Sequence, residues 1–178
     1  MKVILFDTNP QVVAAWKLAF AGFSEVEIVQ KDVRSVECDA VVSPANSFGI
    51  MTGGIDLVYR EMFGRQVEDA AIERAVQHDG CAMPVGKAAV IVTNHERIPY
   101  MVMAPTMPNH RTPVPFTDNA YRAFRAALIA ARYYRPKGQA LIQTLACPGL
   151  CTASGGMYPT VAAFQMARAY KEEVDGRF

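Results

Sequence analysis

The chain alternates between short apolar runs and longer segments in which apolar residues recur at helical spacing. The apolar runs predict six strands, at 2–7, 26–29, 40–43, 88–93, 100–104 and 140–145. The helical spacing, together with capping residues, prolines and glycines at the segment ends, predicts helices at 10–21, 55–63, 66–78, 119–134 and 159–174. Strands that alternate with helices are typical of an α/β fold with a mostly parallel sheet covered on both faces.

Two loops rich in glycine each follow a predicted strand and precede a predicted helix. The first is SPANSFGIMTGGID, residues 43–56, and the second is CPGLCTASGGMYP, residues 147–159. In an open α/β sheet the loops at the carboxyl ends of parallel strands line one crevice, so we expect these two loops to face each other. Helix starts offer backbone N–H groups without partners, and glycine lets a ligand approach the backbone closely. The pattern therefore predicts a ligand held between the two loops.

The composition of the two loops indicates how that ligand is held. Neither loop contains Lys or Arg between the strand end and the helix start. Neither contains the Gly-Lys-Ser/Thr of a P-loop or the G-x-G-x-x-G fingerprint of dinucleotide-binding folds. We therefore expect an anion held by backbone N–H groups and helix dipoles, and a diphosphate bridging two helix starts fits this description. Glycine-rich turns of this kind also occur for packing alone, so a purely structural role stays open at this point.

Size, charge and cysteine content exclude several classes of protein. We expect the 178 residues to form a single domain, 1–178. Lys and Arg number 18 against 17 Asp and Glu, and this near-neutral balance disfavours a nucleic-acid partner. No apolar run approaches the length that spans a bilayer, and the first residues predict a strand, not an export signal, so we expect a cytoplasmic protein with no membrane partner. We expect the four cysteines to be free thiols that bind no metal, and they are Cys38, Cys81, Cys147 and Cys151.

Four short motifs resemble those of a known family. Ser43-Pro44-Ala45-Asn46 and Gly53-Gly54-Ile55-Asp56 match, in order and spacing, an Asn-Ala-Ala-Asn-like motif and a Gly-Gly-(Val/Ile)-Asp motif. Lys31-Asp32-Val33 resembles the Gly-Asp-Ile motif of the same family, and residues 152–157 resemble the Thr-Gly-Val-Gly-Gly-Met-like run of its phosphate loop. On these motifs the chain resembles the macro domain, an ADP-ribose-binding module, and especially the bacterial and phage-type single-domain macro proteins.

The resemblance implies a three-layer α/β/α fold with a central mixed, mostly parallel sheet, and it implies roles for single residues. Asp32 would accept a hydrogen bond from the adenine amino group, and the Val33 amide would donate to a ring nitrogen. Asn46 would bind the distal ribose hydroxyls, and Asp56 would orient or activate the attacking water, which makes these two the candidate catalytic residues. The other candidate binding residues would cradle the diphosphate or cover the distal ribose, and they are Ala45, Gly53, Gly54, Ile55, Thr152, Ala153, Ser154, Gly155, Gly156, Met157 and Tyr158.

Each key side chain also has a structural interpretation that the sequence leaves open. Asp32 suits a cap on the turn before Val33, and Asn46 suits hydrogen bonds to its own loop backbone. Asp56 lies where a carboxylate complements a helix dipole, which contributes only about 0.3–1 kcal/mol. The functional interpretation depends on the joint occurrence of these residues at the spacing of the family.

Two functions remain from the sequence. The first is an enzyme that hydrolyses an ADP-ribosyl bond on a mono-ADP-ribosylated protein or on a small ADP-ribose derivative, such as the 1''-phosphate or an O-acetyl ester. The second is a non-catalytic reader that binds ADP-ribose on a partner. The pair Asn46 and Asp56 favours the enzyme, whereas Thr52 and Ala153, which replace glycines of the family, favour the reader. We expect neither function to need a cofactor or a metal.

Overall fold

The structure, a computed structural model, describes residues 1–135, 137, 138 and 140–176. Within these residues six strands form one sheet in the order β2-β1-β6-β3-β5-β4. The strands are β1 (Lys2–Asp7), β2 (Val26–Gln30), β3 (Ala40–Ser43), β4 (Ala89–Val92), β5 (Tyr100–Met103) and β6 (Thr144–Cys147). Neighbouring strands are parallel except for β4, which is antiparallel to β5. The predicted mixed, mostly parallel sheet is confirmed.

Five α-helices flank the sheet in the described residues. They are α1 (Pro10–Ala19), α2 (Gly54–Phe63), α3 (Gln66–Val76), α4 (Asn119–Tyr133) and α5 (Pro159–Asp175). The start signals act as predicted: the Asn9 side chain accepts a hydrogen bond from the Gln11 N–H at 2.9 Å, and proline begins both α1 and α5. No helix in these parts of the chain is long and apolar enough to cross a membrane.

Alternate residues of the strands face two separate cores, which gives the fold its three layers. Leu5 of β1 and Val42 of β3 pack in a cluster with Trp16 of α1 and with apolar residues of α4 and α5. Their chain neighbours Phe6 and Val41 belong to a second cluster, which α2 and α3 cover. Because side chains alternate between the two faces of a strand, both faces of the sheet are buried under helices.

The position of β6 differs from the prediction. The apolar pattern predicted a strand from Ala140 to Leu145, whereas the strand runs from Thr144 to Cys147. The reason is Asp39, whose Oδ2 accepts hydrogen bonds from the N–H groups of Gln143 and Thr144, at 2.8 Å and 2.7 Å, and from the Thr144 hydroxyl at 2.9 Å. These bonds fix the point at which the chain enters the sheet. The second glycine-rich loop therefore begins after Cys147.

Three adjacent parallel strands end at the same edge of the sheet. β6 lies between β1 and β3, and the last residues of the three strands are Asp7, Cys147 and Ser43. The loops that follow these residues lead into α1, α5 and α2. Side chains and backbone groups from three distant parts of the sequence are thus brought to one place.

Candidate functional site

A cleft of about 570 Å³ lies at this edge of the sheet. The first glycine-rich loop contributes residues between Pro44 and Asp56 to its lining, and the second contributes residues between Pro148 and Gly155. The two loops face each other across the cleft, as the order of strands and helices predicts. The volume is within the range of about 300–1,000 Å³ that is usual for small-molecule sites.

Most of the candidate binding residues line this cleft. The lining includes Asp32, Val33, Ala45, Asn46, Gly53, Gly54, Ile55, Asp56, Thr152, Ala153, Ser154 and Gly155. The lining does not include Gly156, Met157 or Tyr158. Met157 packs in the core with 1% of its surface exposed, and Tyr158 is 71% exposed just before α5. In this arrangement neither side chain belongs to the wall of the cleft.

Asp56 is a buried carboxylate at the start of α2. It lies in the first helical turn and is 8% exposed. The hydroxyl of Ser43, the last residue of β3, donates a hydrogen bond to Oδ1 of Asp56 at 2.7 Å. Removal from water raises the pKa of the Asp56 carboxyl to about 7, against the opposing effect of the Ser43 hydrogen bond. A carboxyl with this pKa is populated in both forms near neutral pH, which suits a group that accepts and returns a proton.

Asn46 uses its side chain within its own loop. Nδ2 donates to the carbonyl of Ile50 at 2.8 Å, and Oδ1 accepts from the N–H groups of Phe48 at 3.1 Å and Ile50 at 3.4 Å. The structural role that the sequence left open is therefore present. An Asn amide carries two N–H donors, and the described residues provide an acceptor for one of them. Asn46 thus fixes the loop and lines the cleft, and one N–H of its amide has no acceptor among the described residues.

Helix α3 anchors the same loop from behind. Glu68, which is 6% exposed, accepts a hydrogen bond from the N–H of Met51 at 2.8 Å and pairs with Arg60 at 3.1 Å. Gly49 has φ +74°, and a Cβ added there would lie 2.6 Å from the backbone of Ala71. The close approach requires glycine at this point, because a larger residue would push the loop away from α3.

The N-terminus of α2 carries backbone donors without side-chain acceptors. Its N-cap residue is Gly53, which makes no capping hydrogen bond, and Gly54 has φ +58°. The first N–H groups of a helix have no partner within the helix. The residues at this helix start, Gly53 to Asp56, line the cleft, so an anion bound there would lie at the favourable end of the helix dipole.

The second loop is a compact turn held by its own backbone. The N–H of Met157 donates to the carbonyl of Cys151 at 2.9 Å, and the N–H of Gly156 donates to Ala153 at 3.0 Å. A Cβ added to Gly155 would lie 2.5 Å from the Cys151 carbonyl oxygen, so the turn requires glycine there. Ala153 has no positive φ, whereas Cys151 has φ +63°. The replacement of a glycine by Ala153 therefore causes no backbone strain in this loop.

Asp32 caps a short 3₁₀ helix at the far side of the cleft. Its Oδ1 accepts from the N–H of Arg34 at 2.9 Å, which is the capping role that the sequence left open. The Arg34 guanidinium also lies 3.2 Å from Oδ1 and 3.1 Å from Oδ2. The Asp32 side chain is 45% exposed, so a ligand can still approach the carboxylate from the cleft.

Several residues in the lining were not predicted from the sequence. Asp7 is the last residue of β1, and its place at the end of a parallel strand could have predicted it from the sequence. Lys31 brings a full positive charge, and among the described lining residues it is the only Lys or Arg. His110 comes from the proline-rich segment after β5, for which no pattern in the sequence gives a position. The glycine-rich loops hold no cation themselves, but a neighbouring loop supplies one.

The described part of the chain contains no group of three or more His, Cys, Asp and Glu that is placed to hold a metal ion. Its cysteines are free thiols, and burial raises the pKa of both Cys147 and Cys151. The chemistry that the cleft offers is that of backbone donors, the buried carboxyl of Asp56 and the polar and charged side chains that share its lining, among them Asn46, Asp32 and Lys31.

No protein family model matches the chain. The chain is 31% identical over 150 residues to an uncharacterized protein of Aquifex aeolicus, which covers 84% of this chain and 81% of the relative. It is 29% identical over 79 residues, or 44% of each chain, to a macro domain-containing protein of Cupriavidus necator.

Solved structures share the fold at lower identity. The macrodomain of Mycobacterium tuberculosis DarG superposes with a TM-score of 0.66 at 18% identity, over 80% of this chain and 88% of that one. A mutant of the Oceanobacillus iheyensis macrodomain with ADPR superposes with a TM-score of 0.57 at 13% identity, over 82% of this chain and 89% of that one. At these identities the likeness concerns the arrangement of strands and helices.

Proposed function

Since the chain belongs by its fold to the macrodomains, we propose that it binds ADP-ribose in the cleft and hydrolyses an ADP-ribosyl bond there. The observation that carries the proposal is the joint placement, in one cleft, of two glycine-rich loops with open backbone donors and a buried carboxyl, Asp56. A neighbouring macrodomain structure that contains ADPR supports the choice of ligand.

The diphosphate is bound by the two loops. The start of α2, which has no side-chain cap, and the turn 152–155 both line the cleft, which supports this binding mode. Lys31 adds a positive charge to this lining without belonging to either loop. Because backbone donors bind phosphate oxygens directly, binding needs no divalent ion. Removal of divalent ions with a chelator is expected to leave the affinity for ADP-ribose unchanged, and a strict requirement for Mg²⁺ would contradict this mode of binding.

The adenine and the distal ribose occupy opposite ends of the cleft. By its resemblance to the family, the Asp32 end takes the adenine, and the Asn46 and Asp56 end takes the distal ribose. Asn46 donates its remaining N–H to a ribose hydroxyl. Asp56 accepts a proton from a water, whose oxygen forms a bond to the anomeric carbon while the bond from that carbon to the acceptor breaks. The proton passes to the leaving acceptor, and the products are ADP-ribose and the free acceptor.

The substrates of this reaction are a mono-ADP-ribosylated protein or a small ADP-ribose derivative. A reader that binds ADP-ribose on a partner protein is the second candidate. It is favoured by one observation, which is that both polar atoms of the Asn46 side chain are engaged in its own loop.

Single-turnover measurements separate the two candidates. An ADP-ribosylated acidic protein is mixed with excess wild type, with Asp56→Ala and with Asp69→Asn, which removes an exposed carboxylate of α3 as a charge control. We expect Asp56→Ala to slow the release of ADP-ribose by about 10²–10⁴-fold, the usual contribution of positioned proton transfer. Its affinity for ADP-ribose in calorimetry should stay close to that of the wild type.

Two outcomes would contradict the proposal in different ways. A wild type that binds ADP-ribose but releases none from any linkage is a reader and not a hydrolase. A wild type that shows no affinity for ADP-ribose contradicts both candidates.

A further inference from the structure

Ser43 provides the sole hydrogen bond that the described residues make to the carboxyl of Asp56. The contact joins Ser43 Oγ to Asp56 Oδ1 at 2.7 Å. Asp56 Oδ2 has no hydrogen-bond partner among these residues, and it is not completely buried. Oδ2 is therefore accessible from the cleft that Asp56 lines. One oxygen of the carboxyl is held by the protein, and the other has no partner among the described residues and is left for a group in the cleft.

The backbone of Ser43 is part of the central sheet and not of a loop. Ser43 pairs with Met103 of β5 in a central strand of the sheet, and its carbonyl accepts a hydrogen bond from Ala104 at 3.0 Å. The residue is 1% exposed. A donor on a buried central strand gives the Asp56 side chain one preferred orientation, which is the usual way a protein holds a reacting group.

We propose that Ser43 is a positioning residue, whose hydroxyl holds Oδ1 of Asp56 so that Oδ2 faces the cleft as the proton acceptor. The proposal rests on the hydrolytic function proposed above and adds a residue to it. Ser43 does not touch the substrate and acts only through Asp56. A hydrogen bond that is donated to a carboxylate favours its ionised form, so Ser43 also keeps Asp56 able to accept a proton near neutral pH.

Other titratable groups near this pair do not replace Ser43 in that role. They are Tyr59 and Arg60 on α2, Glu68 on α3, Asp7 and Cys147 at the ends of β1 and β6, Cys38 before β3, and Lys31 and His110 in the cleft lining. The pKa of the Asp56 carboxyl depends on its burial and on the Ser43 hydrogen bond, with no charged partner among the described residues. Loss of the Ser43 hydroxyl should therefore raise the pKa of Asp56 further.

The chain offers a matched control for this test. One turn after Asp56, the hydroxyl of Tyr59 donates to the carbonyl of Val42 at 3.1 Å and also joins α2 to β3. Tyr59→Phe removes that contact without touching the carboxyl. If Ser43→Ala acts by loosening α2 from the sheet, it should behave like Tyr59→Phe. If it acts on the Asp56 carboxyl, the two variants should differ.

The first measurement needs no substrate. The carboxyl carbon of Asp56 is titrated by ¹³C NMR in the full chain, with Asp56→Asn used to assign its resonance. We expect the midpoint in Ser43→Ala to lie at a pH about 0.5–1 higher than in wild type. Ser43→Thr, which keeps the hydroxyl, and Tyr59→Phe should titrate close to the wild type. An unchanged midpoint in Ser43→Ala, or an equal change in Tyr59→Phe, would overturn the proposal.

The second measurement is the pH profile of single-turnover release of ADP-ribose. Ser43→Ala should be about 3- to 10-fold slower than wild type at pH 6 and less impaired at pH 8.5, with unchanged affinity for ADP-ribose. A loss that is equal at both pH values would overturn the proposal. If the NMR midpoint shifts in Ser43→Ala but the wild type releases no ADP-ribose from any linkage, the proposed hydrolysis is overturned. The catalytic role of Ser43 and Asp56 is then overturned with it.

Discussion

Asp7 at the end of β1 and Gly149 in the second loop are joined by a hydrogen bond, in which Oδ2 of Asp7 accepts from the Gly149 N–H at 3.2 Å. The other oxygen of Asp7 accepts from the N–H of Asn9 at 2.8 Å. A side chain at position 149 would displace its neighbours, because an added Cβ would lie 2.7 Å from Asp7 Oδ2 and from Thr152 Oγ1. This contact sets how closely the second loop approaches the β1 end of the cleft.

Gly149→Ala should therefore displace the second loop. We expect overpacking to cost about 1–3 kcal/mol, divided between a lower free energy of unfolding and weaker binding of ADP-ribose. Urea denaturation and calorimetry measure the two parts. The control is Gly22→Ala, since a Cβ added to Gly22 meets nothing within 4 Å. Wild-type affinity and stability in Gly149→Ala would show that the contact does not determine the position of the loop.

The buried carboxyl of Asp56 predicts how stability depends on pH. Its pKa is raised from 3.8 to about 7 in the folded chain. The folded state then holds the proton more tightly than the unfolded state, so the contribution to stability is fully present below pH 4 and is lost as the pH rises through 7. At about 1.4 kcal/mol for each pH step, the loss amounts to at most about 4 kcal/mol.

Asp56→Asn removes this dependence and keeps the shape of the side chain. We expect its free energy of unfolding, relative to wild type, to increase between pH 4.5 and pH 8 in urea denaturation. Asp69→Asn, which neutralises an exposed carboxylate on α3, corrects for the loss of one negative charge. If the difference between wild type and Asp56→Asn is the same at every pH, the carboxyl is not buried in the way that the structure describes.

Because Glu68 binds the first loop to α3, we expect its loss to affect both the stability of the chain and the order of that loop. Glu68→Ala leaves the N–H of Met51 without its acceptor and Arg60, whose side chain is 31% exposed, without its partner. We expect a loss of about 1–3 kcal/mol in free energy of unfolding, together with weaker binding of ADP-ribose. Glu68→Gln keeps an acceptor for Met51 and should lose less. The exposed Glu73 on the same helix is the control, and Glu73→Ala should change stability by no more than about 0.5 kcal/mol.

The sequence predicted the cleft because its signals are local. Strand runs and helix starts mark where each glycine-rich loop begins and ends, and parallel topology then brings the loops together without further information. Asn46 and Asp56 were found by their position in the first loop. The same local reasoning placed β6 too early, because Asp39, distant in sequence, decides where Thr144 enters the sheet.

Side-chain directions in the second loop and contacts between loops could not be predicted in this way. Met157 follows two glycines that reverse the chain, so its burial depends on the turn and not on an apolar pattern. The partnership of Ser43 with Asp56 joins a strand end to a helix start, and no spacing rule shows it. Sequence patterns give the elements that carry the cleft, whereas the hydrogen bonds that orient its side chains depend on packing between them.

Asp32 predicts that the cleft prefers adenine. A carboxylate there can accept from the adenine amino group, whereas it repels the carbonyl oxygen of hypoxanthine, so wild type should bind ADP-ribose more tightly than its inosine analogue in calorimetry. The carboxylate is 45% exposed and is shared with Arg34, so we expect a preference below the usual range for a charged hydrogen bond, about 0.5–1.5 kcal/mol. Asp32→Ala should abolish it. Arg34→Ala keeps the carboxylate and frees it from the guanidinium, so the preference should be retained or increased. Equal affinity of the wild type for both analogues would contradict the placement of adenine beside Asp32.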